Sequence, residues 1–125
     1  MPVYKLIAIA LGGAIGALAR ASACTITERH FGCDFPYGTL LVNVAGGFLI
    51  GLLAGVSASM ELPPLVRDAV VIGGLGALTT FSAFSLDTLT LASGGGLLHA
   101  LGNIAANVVL ALAATAGGLL LGRAL

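Results

Sequence analysis

The sequence predicts an all-α membrane protein of four transmembrane helices, on three observations. The 125 residues are 58% hydrophobic and only 8% charged, with a mean hydropathy of +1.12. A soluble domain carries roughly a quarter charged residues, so ten charges are too few to cover a soluble surface. The apolar residues come in long runs rather than in alternation, which argues against a membrane β-barrel. At about 20 residues per span plus short turns, the length holds four helices and little else. Five Lys/Arg against five Asp/Glu give a net charge of zero. Together these observations exclude an ordinary soluble enzyme, a disordered chain and a nucleic-acid binder, which needs a basic excess.

Charged residues punctuate the spans. The first, about 3–27, has Lys5 before an uncharged run from Leu6 to Ala19, then Arg20, then apolar and small residues to Thr27. A lipid-facing charge at mid-bilayer is expensive, so Arg20 is expected near one end or facing water. Lys5, the apolar stretch and Ala21-Ser22-Ala23 also look like a secretory leader. Arg20 just before the would-be cleavage point, and a packing face of Gly12, Gly13 and Gly16, argue for a retained span instead. The second span, about 37–60, has no charge from Tyr37 to Met60, and Pro63-Pro64 ends it because two prolines cannot continue a helix. The third, about 67–92, is uncharged from Ala69 to Leu86 and stops before the Ser93-Gly94-Gly95-Gly96 turn. The fourth, about 97–122, has His99 as its only titratable group, and Arg123 closes it. The whole chain, 1–125, reads as a single four-helix transmembrane domain. It carries no GxxxxGK motif, so transport is not driven by an ATPase of its own. Cys24 and Cys33 read as free thiols rather than as a metal pair.

Orientation follows from the basic residues. With four spans, the side holding the N-terminus collects Lys5, Arg67 and Arg123, and the other collects Arg20 and Arg29. Helices are oriented by Lys/Arg asymmetry in short flanking loops, and three against two is nearly none. The plain alternative is that other factors fix one orientation. The sharper expectation is dual topology, with two copies assembled upside down to each other as an antiparallel homodimer. That arrangement supplies what larger transporters achieve with fused inverted repeats.

Two interior patterns carry chemistry. In the second span Thr39, Asn43, Gly47, Gly51 and Gly55 recur at every fourth position and so share one face. Glycines at this spacing let helices approach closely in lipid. Asn43 differs, because an amide in hydrocarbon demands a partner: a structural bond between helices or a ligand. The third span reads Gly73-Gly74-Leu75-Gly76-Ala77-Leu78-Thr79-Thr80-Phe81-Ser82-Ala83-Phe84-Ser85. Three glycines, two threonines and two serines make a poor continuous helix, so a broken third helix is expected. Freed backbone groups in a membrane need protein, water or an ion, and unwound carbonyls are one way to hold sodium. Phe81 and Phe84 share a face, for core packing or for an ion path.

These residues resemble a known family. Residues 12–20 (GGAIGALAR), 38–46 (GTLLVNVAG) and 76–84 (GALTTFSAF) look like the three signature stretches of the Fluc (CrcB-type) fluoride channels. The resemblance covers essentially the whole chain. It implies a fluoride-selective passive channel of the cell (inner) membrane that exports fluoride and reduces its toxicity. It further implies an antiparallel homodimer with two pores. Asn43, Phe81 and Phe84 would line the ion pathway, and Arg20 would lie near the aqueous vestibule. A central structural sodium ion would be held by backbone carbonyls of Gly76 and Thr79. Ala77 stands where the family often has a second glycine. The family's fourth span usually carries a tyrosine and serines, where this chain offers Asn103, Asn107 and Thr115 in an unfixed register.

The chemistry is coherent from below. Fluoride is small and strongly hydrated, so dehydrating it requires donors, and conduction requires binding that is favourable but not deep. Asn43 offers amide N–H groups, and Thr39, Thr80 and Ser82 offer hydroxyls. Aromatic ring edges carry partial positive charge, so Phe81 and Phe84 can face an anion edge-on. A fixed sodium would add a positive field, and Arg20 could concentrate anions at the mouth. The rivals are a small dual-topology multidrug/cation exporter and a non-conducting accessory subunit. The exporter needs a membrane-embedded carboxylate. Glu28, Asp34, Glu61, Asp68 and Asp87 all fall at expected span ends.

Overall fold

A computed structural model describes all 125 residues, and its regular elements are all helical. In chain order these are α1 (Val3–Phe31), α2 (Tyr37–Val56), α3 (Pro64–Arg67), a π-helical segment (Asp68–Leu75), α4 (Gly76–Leu78), α5 (Phe81–Ser93) and α6 (Leu97–Ala124). Four helical stretches are long and apolar enough to cross a membrane, with Pro64–Ser93 as the third.

The first stretch runs four residues past the expected 27. Thr25, Thr27 and His30 each bond to a carbonyl one turn back, on Ala21, Ala23 and Ile26, so the helix satisfies its own polar side chains. Gly32 then stops it with φ +79°, a conformation that favours glycine. The second stretch ends at Val56, short of 60, where Ser57 and Ser59 turn their hydroxyls onto the carbonyls of Leu53 and Val56. Tyr37 stacks between Phe31 and Phe35 at centroid distances of 5.4 and 4.9 Å, which closes the short link from α1 to α2.

The third stretch is irregular. Residues 68–75 are π-helical, and the Gly76 N–H reaches back five residues to the Val71 carbonyl. Thr79 (φ −80°, ψ 153°) and Thr80 (φ −152°, ψ 120°) are extended. Before this pair the chain packs on α1, and after it α5 packs on α6. Lys5 and Asp68 join α1 to the start of the π-helical segment at 3.4 Å, with the carboxylate buried.

Glycine governs both large contacts. A methyl at Gly12 would meet the Ala69 carbonyl, and one at Gly16 the Gly74 carbonyl, so α1 lies directly on the third stretch. Gly51 and Gly55 meet the α6 backbone at Thr115 and Leu119, and Gly118 and Gly122 meet the α2 backbone at Phe48 and Leu52. Close approach of this kind supplies dispersion contacts in lipid, where no hydrophobic drive between helices exists. The outward faces are apolar, and Phe81 is 78% exposed on the surface of the chain.

Candidate functional site

The site grows from the extended pair. The Thr80 N–H and C=O make no backbone–backbone bond, and buried backbone groups need partners. Asn43 supplies them. Its Oδ1 accepts from the Thr80 N–H at 2.8 Å, and its Nδ2 donates to the Thr80 carbonyl at 3.1 Å. The second-span amide thus satisfies both sides of one residue's backbone. Nδ2 also donates to Asn107 Oδ1 on α6 at 2.9 Å. Thr80 in turn caps α5: its Oγ1 accepts from the Ala83 N–H at 3.1 Å and lies 3.2 Å from Ser82 Oγ.

Two carbonyls lose their helical donors through these contacts. The Gly76 carbonyl would be served by the Thr80 N–H four residues on, which goes to Asn43. The Thr79 carbonyl would be served by the Ala83 N–H, which goes to Thr80 Oγ1. Gly76 and Thr79 border one open groove of about 280 Å³, together with Asn43 and Gly47. Uncharged carbonyl oxygens of this kind suit a hard monovalent cation, as at the unwound segments of transporters.

Asn43, Thr79, Thr80, Phe81, Phe84 and Asn107 line a second cleft of about 370 Å³, with apolar α6 residues opposite. The two phenylalanine rings stand 5.2 Å apart at 55°, so they present edges as well as faces. Phe84 is buried and Phe81 is exposed. No charged side chain lines this cleft.

The remaining sequence-derived candidates lie elsewhere. The Thr39 hydroxyl donates to Asp87 Oδ2 at 2.7 Å, and both residues border a separate polar pocket of about 140 Å³ beside Cys24 and Cys33. Ser82 is exposed and reaches the cleft only through Thr80. Arg20 is half-buried on α1 and forms no ion pair. Thr115 bonds back to the Ala111 carbonyl and sits against Gly47, in the helix contact rather than the cleft. The sequence offered Asn103, Asn107 and Thr115 without a register and gave Thr88 no role. Asn103 is fully buried, and its Nδ2 donates to Thr88 Oγ1 at 2.9 Å. The four-residue spacing of Asn103 and Asn107, which puts two amides on one helix face, was the available signal.

Comparison with known proteins agrees in kind. Residues 7–119 match the family described as CrcB-like protein, Camphor Resistance (CrcB). A protein of Citrifermentans bemidjiense named fluoride-specific ion channel FluC is 47% identical over 122 residues, which is 97% of this chain and 98% of that one. A protein of the same name from Geobacter sp. strain M21 gives the same figures. One from Shewanella loihica is 46% identical over 108 residues, 86% of this chain and 87% of its own.

Proposed function

The chain belongs to the CrcB family, a multi-pass membrane channel family and not an enzyme family, and on that premise we propose that it is a fluoride-selective passive channel. It exports fluoride across the cell (inner) membrane and so limits fluoride toxicity. The observation that carries this reading is the cleft of about 370 Å³, which gathers amide groups, the Thr80 backbone and two phenylalanine rings with no charged side chain. Neutral donors and ring edges suit an anion that must leave as readily as it enters.

The channel works as an antiparallel homodimer with two pores. Phe81 is a large ring at the cleft and 78% exposed, so a single copy leaves that wall open. The near-even split of Lys and Arg supports insertion in both orientations. The third span serves as a broken helix, and the Gly76 and Thr79 carbonyls of both copies hold a structural sodium ion on the two-fold axis. That ion would add a positive field near the path without a lysine inside it. Arg20 stands at the vestibule and gathers anions.

A proton-coupled exporter would need a free carboxylate in the membrane. Asp68 is held by Lys5, and Asp87 accepts from Thr39. Glu28, Asp34 and Glu61 are exposed.

Fluoride efflux from liposomes holding the purified chain tests the reading. Passive, fluoride-selective efflux is expected, and its absence at a verified protein density retires the channel. Dimer stability is expected to depend on sodium. Equal stability in potassium-only buffer would remove the sodium site.

A further inference from the structure

We infer that Asn107 is an internal competitor of the transported anion at Asn43, and that Asn103 is the positioning residue that holds it there. The inference rests on the channel reading above and concerns what sets the channel's affinity.

Backbone atoms fix the direction of every amide involved. The Thr80 N–H can only donate, so the Asn43 atom 2.8 Å away is its oxygen, and its NH₂ faces Asn107. The Asn103 backbone carbonyl can only accept, so the Asn107 atom 3.0 Å from it is its NH₂, and the Asn107 oxygen faces Asn43. The two ends agree. The same Asn107 NH₂ donates to Asn103 Oδ1 at 3.0 Å, the Asn103 NH₂ donates to Thr88 Oγ1 at 2.9 Å, and the Thr88 hydroxyl donates to the Phe84 carbonyl at 2.7 Å. The bonds all run one way from Thr80 to Phe84, so each strengthens the next in a low-dielectric interior.

Both Asn43 N–H bonds are therefore taken. One belongs to the pair with the Thr80 backbone. The other borders the cleft and carries the Asn107 oxygen, the place an anion would occupy. An anion reaches Asn43 by displacing that oxygen. A built-in acceptor weakens net binding by about the worth of one hydrogen bond, roughly fivefold, and moderate binding is what conduction requires. Asn103 is 0% exposed and does not border the cleft. It acts through Asn107, whose amide turns more freely without it.

The test is fluoride current through the purified full-length chain in planar bilayers, read against fluoride concentration. Half-saturating concentration and maximal current are separated. Asn107→Ala is expected to lower the half-saturating concentration about fivefold. Asn107→Ser is a second route, because a helical serine bonds back to the carbonyl one turn earlier and withdraws the acceptor without orphaning it. Asn103→Leu is expected to move the value the same way by a smaller factor, about twofold, since only one of two acceptors for the Asn107 NH₂ is lost. A purely structural role would reduce the maximal current and leave half-saturation in place. An unchanged or raised value in both Asn107 variants overturns the competitor, and a shift there without one in Asn103→Leu overturns the role of Asn103. A wild-type chain that carries no fluoride current overturns the channel reading and this inference together.

Discussion

Helices α2 and α6 meet twice, and the two meetings are built on the same four-residue rhythm with opposite chemistry. Toward the end of α2 and the end of α6, Gly51, Gly55, Gly118 and Gly122 bring backbone against backbone with no room for a methyl. Two turns earlier on α2, Asn43 meets Asn107 through a hydrogen bond and borders a cleft. Successive positions on the row are about 6 Å apart. Spacing decides which residues face the neighbouring helix; side-chain chemistry decides whether that face seals dry or stays open to a ligand. The dry half fixes the distance between the helices and therefore the span that Asn43 must bridge.

Substitutions at the two halves should separate stability from conduction. The largest effect is expected at Gly51→Ala, whose methyl would run into the Thr115 carbonyl. Overpacking against rigid backbone costs about 1–3 kcal/mol or more, so the variant should melt markedly earlier in detergent and lose flux in proportion to lost assembly. A normal melting temperature would show that α2 and α6 are not held by this contact. The next effect belongs to the cleft. Phe84→Ile and Phe81→Ile should each cut fluoride flux, and Phe84, buried within its own chain, should also cost about 1 kcal/mol of stability. Unchanged flux in both would make the rings packing residues only. An effect of opposite sign is expected at Gly117→Ala, where a methyl meets nothing within 4 Å. Removing a helical glycine there should stabilise by up to about 1 kcal/mol, and a loss would reveal a neighbour from another molecule.

Much of this fold was legible because charge is rare enough to mark where helices stop. The exceptions are local. α1 overran its expected end because Thr25, Thr27 and His30 bond to their own helix, which composition does not report. Nothing in the order Asp68–Leu75 signals π-helical bonding, since glycine-rich apolar sequence fits several helical geometries. For the site, an amide at Asn43 announced that it needs a partner. Which partner was hidden, because Thr80 and Asn107 lie 37 and 64 residues away and depend on helix rotation. Thr115 continues the row of Asn103 and Asn107 at eight-residue distance from the latter. Its hydroxyl turns onto its own helix where Gly47 comes close, so identical spacing gives a different role. The link from Thr39 to Asp87 was equally out of reach, since each residue looked like an ordinary span end.

The extended pair Thr79–Thr80 also divides the chain by cooperative unit. Residues 64–78 are fastened to α1 through glycine contacts and the Lys5–Asp68 pair, while α5 is tied to α2 and α6 through the amide circuit. Local opening follows such contacts rather than chain continuity. Amide hydrogen exchange should therefore fall into two populations within one transmembrane span. Protection of residues 64–78 should rise and fall with that of α1, and protection of α5 with that of α6, the seam between them marked by two threonines.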